Sequence, residues 1–503
     1  MEDRWKWTDA HFCSLSSQTN VYGLTKVTGN EGTNKVLVAP LDGRVISIEY
    51  TQRDKRLTPC TKCIQFTYIP GDAEIVSVDV ISNCLNRHGI VVGITFFKLQ
   101  ENESKPASQF LNLYSSCQSG EEANLDVVAQ GCQSLELSFI PYQLIHTNLI
   151  LEKTEETVFL LSGGDNKMHL YREVSENHKF EEVPSDEYFP EFSNITQSVL
   201  VTTILNLDGN QKRLTAMGHQ DGLVKLSLVD AVKREILQTW STEHDSPITC
   251  LKLFTPETQV PCPPFIESTR VEENGSYKSR LKDKTYNLVV ISALDTAVVY
   301  RNMMQSGFTD PLPLPGSDQF DCPMCACIVD IDFDGEHEIL IGTYGQELLA
   351  YKYVSKKHVP PEKPADFVEP ASDVIDPLNT PVLKNDIQLE EIPSQTRRNL
   401  DCVVTGSTPD SADGHHDDVD RSTGFHLLWQ RSFPCPVMGI DSLDITGDGI
   451  EELIVVTLKG LHILQPDLNE VSELLLERLR SLTDTGSDAD DAYRILQTET
   501  FGK

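Results

Sequence analysis

The sequence predicts an all-β protein, a seven-bladed β-propeller followed by one C-terminal amphipathic helix. The prediction rests first on two acidic loops, residues 330–338 and 444–452, each followed by an apolar strand, a Gly-containing turn and a second apolar strand. Five weaker copies of this hairpin lie upstream and begin near residues 35, 90, 158, 213 and 288. A hairpin repeated along one chain is typical of radial repeat folds, because each copy buries its apolar face only against its neighbours.

Turn chemistry marks the hairpins in chain order. Asp42-Gly43, Gly163-Gly164 and Asp221-Gly222 separate apolar runs, and the primed hairpin turns require the positive φ that Gly adopts easily. Most hairpins follow another strand-like run, such as residues 75–78 or 248–251, so each unit has three or four strands. We expect the propeller to span residues 10–465; a β-sandwich or two smaller β-domains is the alternative.

Polar stretches interrupt and end the repeats. Residues 355–424 are rich in Pro, Asp, Ser and Thr, and cannot bury enough apolar surface to offset the entropy of ordering. They are predicted to be a disordered acidic insertion within one blade. A shorter polar insertion is expected near 256–285, and a disordered tail at 484–503.

The C-terminal helix is predicted over residues 467–482. Asp467 with Glu470 has the spacing of an N-cap with a capping box. An apolar face at helical spacing follows, formed by Leu468, Val471, Leu475, Leu479 and Leu482. This face either packs against the propeller or docks a partner.

Composition excludes several classes of function. The chain has 503 residues, a net charge of -34 and a pI near 4.7, so its surface repels nucleic-acid phosphates and anionic lipids. No apolar run approaches the ~18 residues that a membrane span needs, and the N-terminus lacks the apolar core of a signal peptide. Thirteen cysteines, an odd number, favour reduced thiols. We therefore expect a cytoplasmic protein without a transmembrane segment.

The two acidic loops are the candidate metal sites. Ca²⁺ takes 6–8 oxygens, and a tight Gly turn brings alternating side chains inward. The first loop offers Asp330, Asp332, Asp334 and Glu338. The second loop is weaker, because Thr446 replaces a carboxylate, and offers Asp444, Asp448 and Glu452. In the alternative, these side chains accept hydrogen bonds from backbone amides without metal, and no cofactor is required.

Signatures of catalysis are absent from the sequence. It contains no G-x-S-x-G elbow, no phosphate-binding G-x-x-x-x-G-K-[ST] and no H-E-x-x-H. Two C-x-x-C pairs, Cys60 with Cys63 and Cys322 with Cys325, lie on different predicted blades, so we expect separate thiols rather than one zinc site. The prediction is a protein that is not an enzyme, and a Ca²⁺-dependent propeller hydrolase is the enzymatic alternative.

Two resemblances refine this interpretation. The acidic loop with its hairpin resembles the FG-GAP repeat of integrin alpha propellers in two of the seven units. Longer runs resemble the kaptin family along nearly the whole chain, at residues 17–24, 68–77, 91–96, 314–321, 343–349, 424–433 and 458–464. The segment 355–424 departs from that family, in which this part is short.

The kaptin resemblance implies a non-catalytic scaffold subunit of the KICSTOR complex. It implies two partner subunits, another FG-GAP-type propeller and a large scaffold, with the GATOR complex bound indirectly at the lysosomal membrane to restrain the TOR kinase. The alternative role is association with filamentous actin at lamellipodia and stereocilia. Because actin is also acidic, direct binding needs a local basic patch, for which the sequence offers Lys278, Arg280, Lys282 and Lys284.

Overall fold

The computed structural model describes most of the chain. The described ranges are 7–29, 34–53, 56–82, 89–98, 107–115, 124–151, 154–174, 178–256, 285–355 and 423–484. The chain divides into one unit of Met1–Tyr353 with Gly424–Lys503 and a second unit of Val354–Thr423. The basic cluster and almost all of the expected insertions and tail lie outside the described residues, and their predicted disorder stays a prediction.

The described residues form seven four-stranded sheets, the blades of the propeller. Blade 1 contains β2 (Leu24–Val27), β3 (Lys35–Val38), β4 (Val45–Arg53) and β5 (Arg56–Ile64). Blade 2 contains β6 (Ala73–Ile81), β7 (Val91–Lys98), β8 (Ser108–Ser115) and β9 (Cys132–Leu137). Blade 3 contains β10 (Pro141–Ile150), β11 (Glu155–Gly163), β12 (Met168–Val174) and β13 (Lys179–Val183).

The remaining four blades repeat this order. Blade 4 contains β14 (Val199–Leu207), β15 (Lys212–His219), β16 (Leu223–Asp230) and β17 (Glu235–Glu243). Blade 5 contains β18 (Ile248–Phe254), β19 (Asn287–Ser292), β20 (Val298–Tyr300) and β21 (Leu312–Pro313). Blade 6 contains β22 (Pro323–Val329), β23 (Glu338–Thr343), β24 (Glu347–Val354) and β25 (Gly424–Ser432). Blade 7 contains β26 (Val437–Leu443), β27 (Glu452–Thr457), β28 (Gly460–Pro466) and the N-terminal strand β1 (Trp7–Ser14). The predicted seven-bladed propeller is confirmed.

The ring closes by a strand from the N-terminus. In blade 7 the order is β1-β28-β27-β26, so the outermost strand comes from the other end of the chain. β1 runs antiparallel to β28, with Trp7 opposite Pro466 and Ser14 opposite Gly460. The first strands of the blades, β2, β6, β10, β14, β18, β22 and β26, contact one another in a closed circle around the axis. Closure leaves fewer bare strand edges exposed.

The core lies between adjacent blades. Strands β19, β23 and β27 are buried at every position, as expected for short apolar runs covered on both faces. One apolar cluster joins Leu340 of blade 6 to Leu453 of blade 7 and also takes in Trp7. Each blade therefore depends on its neighbours for burial of its sheet faces.

Among the described residues, the helices are short except for the last. They are α1 (Leu125–Val128), α2 (Met303–Ser306) and α3 (Leu468–Asp484), with 3₁₀ turns at Ser185–Glu187 and Pro190–Phe192. The predicted N-cap is present, because the Asp467 carboxylate accepts a 2.9 Å hydrogen bond from the Asn469 amide. Among the described residues, no helix combines the length and apolar character that crossing a membrane would need.

Candidate functional site

Acidic loop 1, residues 330–338, connects β22 to β23. Gly335, at position 6 of the loop, has φ +91°, a left-handed conformation that glycine adopts without steric cost. The Asp330 carboxylate accepts hydrogen bonds from the amides of Asp334 (3.1 Å) and Gly335 (2.9 Å). Asp334 accepts one from the Glu336 amide at 2.9 Å. Backbone N–H groups thus donate hydrogen bonds to the carboxylates of Asp330 and Asp334, as expected for an acidic turn that holds no metal.

Lys352 of β24 enters acidic loop 1 from the neighbouring hairpin strand. Its ammonium contacts Asp332, lies 2.7 Å from Asp334 Oδ2 and lies 2.9 Å from Glu338 Oε1. Burial opposes the charge of Lys352, but the charge of Glu338 and the hydrogen bonds to the three acids outweigh it and raise the pKa of Lys352. Burial raises the pKa of Glu338, while the ion pair with Lys352 works in the opposite direction and favours the charged carboxylate. This lysine is not among the predicted site residues; its signal in the sequence is one positive charge in a strand that is apolar from Leu348 to Tyr351.

Acidic loop 2, residues 444–452, has the same plan between β26 and β27. Asp444 accepts hydrogen bonds from the amides of Gly447 (2.7 Å), Asp448 (3.1 Å) and Gly449 (2.9 Å). Asp448 accepts one from the Ile450 amide at 2.9 Å. The turn again uses glycine at position 6, where Gly449 has φ +88°.

Neutral donors take the place of the lysine in acidic loop 2. Glu452 Oε1 accepts hydrogen bonds from the Thr446 hydroxyl at 2.9 Å and from the Gln465 amide at 3.0 Å. Burial raises the pKa of Glu452. Compared with loop 1, a hydroxyl replaces the carboxylate of Asp332 and an amide replaces the ammonium of Lys352.

Acidic loop 1 has enough carboxylates to suggest a Ca²⁺ site, but not all of them are available to bind an ion. In the part of the chain that the structure describes, one group of three acidic side chains has ligand atoms within 4.8 Å of one another, Asp330, Asp332 and Glu338. Two of these three already contact Lys352, whose positive charge repels a divalent cation. The residues of acidic loop 1 therefore fit the ammonium and do not fit an additional Ca²⁺.

Both acidic loops join neighbouring blades. The His337 amide donates to Pro256 O at 2.9 Å, and the His337 ring bonds Thr255 O at 2.8 Å, which ties loop 1 to the end of β18 in blade 5. The Asn34 side chain donates to Asp444 O at 2.6 Å, which ties loop 2 to blade 1. The geometry thus supports a structural role at two blade interfaces.

Charged pairs bridge the inner strands of adjacent blades. Lys26 of β2 lies 2.8 Å from Asp441 of β26. His146 of β10 lies 2.8 Å from Asp79 of β6. Burial lowers the pKa of His146, but the charge of Asp79 and its hydrogen bond outweigh burial, so the pKa is raised overall. These pairs link blade 7 to blade 1 and blade 2 to blade 3.

His146→Gln is expected to lower the melting temperature more at pH 6 than at pH 8.5. Because the folded-state pKa of His146 is raised, its contribution is full below the unfolded value of 6.5 and is lost as pH rises through the folded value. Thermal unfolding of both proteins across this range measures the difference. Histidines with a lowered pKa are present in both the wild type and the variant, so their effect on the difference in melting temperature cancels. A difference in melting temperature that does not change with pH would contradict the assignment.

The C-terminal helix exposes part of its predicted apolar face. Leu468 and Leu475 of this face are 55% and 57% exposed, and Leu476, which is not part of the predicted face, is 49% exposed. Val471 is half-buried, and the side chains of Leu479 and Leu482 lie outside the described residues. The described leucines therefore leave apolar surface on the helix free of the propeller.

Comparisons of fold find solved structures at low sequence identity. The chain in "Crystal structure of BBS1N in complex with ARL6DN, soaked with mercury" is 8% identical, with a TM-score of 0.46, covering 91% of this chain and 96% of that one. The β-propeller domain of Myceliophteria thermophila Cps50 (Swd1) is 11% identical, with a TM-score of 0.43, covering 91% and 99%. These two likenesses are too weak to indicate function.

Comparisons of sequence are far more specific. A model of the family described as KICSTOR complex protein kaptin matches residues 7–392 and 398–476, which includes most of the segment 355–424. The mouse protein (Mus musculus) described as KICSTOR complex protein kaptin is 38% identical over 469 residues, which cover 93% of this chain and 90% of the mouse protein. Matches of this extent establish membership, and the chain belongs to the kaptin family of KICSTOR complex proteins.

Proposed function

We propose that this chain is a non-catalytic scaffold subunit of the KICSTOR complex. The observation that carries the proposal is the family match, which begins at the first residue of β1 and continues into α3. A closed ring of seven blades suits such a role, because it offers a wide and largely pre-formed surface to several partners. The internal hydrogen bonds of the two acidic loops also favour a structural function over a catalytic one.

The proposed role is negative regulation of amino-acid signalling to the TOR kinase. In this role the protein is cytoplasmic and is recruited to the lysosomal membrane, where KICSTOR positions a GATOR GTPase-activating complex. Its direct partners are another FG-GAP-type propeller subunit and a large scaffold subunit. Partner specificity then comes from blade edges, loops and the C-terminal helix. The exposed leucines of this helix suit the centre of an interface, which is more apolar than its rim.

The double variant Leu475→Glu with Leu476→Glu is expected to weaken capture of the partner subunits at least tenfold. Both leucines are exposed on α3, so the charges should leave the propeller folded while opposing burial in an apolar interface. Quantitative co-purification measures the loss, and unchanged thermal unfolding checks the fold. The matched control is Leu294→Glu, at a 79% exposed leucine in the loop between β19 and β20. If the α3 double variant and Leu294→Glu captured the partner subunits equally well, α3 would not be part of the interface.

A cell-based experiment tests the regulatory role. Deletion of the protein should leave TOR kinase substrates phosphorylated during amino-acid starvation, and the wild-type chain should restore their dephosphorylation. The α3 double variant should restore it poorly if the helix is a partner surface. Normal repression in the deleted cells would contradict the proposed function.

Actin association is the second role that the family resemblance implies. Its sequence basis, the cluster of Lys278, Arg280, Lys282 and Lys284, lies outside the described residues. The net charge of -34 opposes binding to an acidic filament. Co-sedimentation of the full chain with filamentous actin at physiological salt separates direct binding from indirect association.

A further inference from the structure

We infer that the ammonium group of Lys352 takes the place of a divalent cation in acidic loop 1 and makes this loop independent of metal. The loop has the carboxylate spacing of a calcium site, yet the cation among its oxygens is a side chain of the same blade. Lys352 lies 14 positions beyond Glu338, outside the loop itself.

The match between Lys352 and the loop is complete in hydrogen-bond terms. A lysine ammonium has three N–H donors and no acceptor. Its three carboxylate neighbours are Asp332, Asp334 and Glu338, one for each donor. Lys352 is largely buried, with 21% of its side chain exposed, and Glu338 is fully buried. Without such a cation, the charges of the buried Glu338 and the largely buried Asp332 would repel each other unpaired.

Acidic loop 2 supports the inference by a paired difference. Where loop 1 has a carboxylate and an ammonium, at Asp332 and Lys352, loop 2 has a hydroxyl and an amide, at Thr446 and Gln465. Loop 2 thus lacks one negative and one positive charge of loop 1. It keeps a side-chain hydrogen-bond donor to the glutamate that both loops share, Glu338 in loop 1 and Glu452 in loop 2. The paired loss of Asp332 and Lys352 equivalents in loop 2 is expected if Lys352 balances the negative charge of loop 1. It would not be expected if a bound metal ion balanced that charge.

Lys352 also holds the loop in place within blade 6. It lies on β24, whereas the loop follows β22 and is held to blade 5 through His337. A permanent cation therefore stiffens this blade interface at any calcium concentration. A metal ion would make the same interface sensitive to calcium.

The test compares the wild-type chain with Lys352→Ala in EDTA and in CaCl₂ at about 5 mM, which exceeds the dissociation constants of weak calcium sites. Wild type should melt at the same temperature in both solutions and show no heat of Ca²⁺ binding by calorimetry. Lys352→Ala should melt several degrees lower in EDTA and recover part of this loss with CaCl₂, because the freed carboxylates then bind Ca²⁺. Adding Asp332→Asn to this variant should abolish the recovery.

The matched control is Lys35→Ala. Lys35 is similarly buried, with 23% of its side chain exposed, but contacts a single carboxylate, Glu49, at 2.6 Å. This variant should lose less stability and show no response to calcium. A calcium-dependent rise in the melting temperature of wild type, or binding of Ca²⁺ to it, would overturn the inference even if Lys352→Ala does not fold. A folded Lys352→Ala that ignores calcium would also overturn it.

Discussion

Deletion of β1, residues 7–14, is expected to abolish cooperative folding of the propeller. Without β1, the backbone edge of β28 loses its antiparallel partner along its whole length. Trp7 leaves the core between blades 6 and 7, where it is 7% exposed. Arg431 loses its hydrogen bond to Trp7 O (2.7 Å) and its ion pair with Asp9 (2.8 Å). The deletion therefore removes the sheet edge, the core residue and the charge pair that close the ring.

The point variant Trp7→Ala isolates the core contribution of this closure. Truncation of a buried tryptophan costs about 3–5 kcal/mol of folding stability, which chemical denaturation monitored by circular dichroism can measure. Thr8→Ala, at the next and exposed position of the same strand, should change stability by less than about 0.5 kcal/mol. Wild-type stability in Trp7→Ala or in the deletion would show that the ring does not depend on β1.

The second large effect is expected at a fully buried ion pair between blades 3 and 4. Arg213 of β15 binds both carboxylate oxygens of Glu191, through Nε at 2.7 Å and Nη2 at 2.9 Å, and both side chains are at most 1% exposed. Thr215 donates to Glu191 at 2.9 Å, and the guanidinium lies 4.1 Å from the Phe189 ring centre. Glu191→Ala leaves a buried charge without compensation and should destabilise the fold by about 3–5 kcal/mol.

Two comparisons make the ion-pair prediction specific. Lys212 and Asp208 form an exposed pair at 3.2 Å beside Arg213, and Lys212→Ala should change stability by at most about 1 kcal/mol. The double variant Glu191→Leu with Arg213→Met should lose less stability than Glu191→Ala, because no buried charge remains unpaired. Denaturant titrations of the three variants decide the matter. Equal losses in the single and double variants would mean that shape alone, and not charge, holds this contact.

Local patterns predicted the elements of the fold well. The acidic loops and the strands that follow them appear where the sequence predicts them, because turn chemistry and apolar runs act over a few residues. The N-cap at Asp467 is another local signal, and α3 ends at Asp484, two residues beyond its predicted end. Short-range signals of this kind carry most of the blade architecture.

Long-range partners could not be predicted in the same way. The pairing of Trp7 with Pro466 joins opposite ends of the chain, and no local pattern in either segment indicates the other. Glu191 lies in a short 3₁₀ turn, and nothing in this local sequence indicates Arg213 as its partner. Lys352 contacts acidic loop 1 only because β24 folds back beside it in blade 6. In each case tertiary geometry selects the partner, which one sequence alone does not reveal.

The most direct test of the scaffold role is purification of the full chain from cells, followed by mass spectrometry of its stable partners. We predict stoichiometric recovery of another FG-GAP-type propeller and a large scaffold subunit, reduced by the α3 double variant and kept by Lys352→Ala. Recovery of actin and filament-binding proteins alone, with no KICSTOR subunit, would contradict the account.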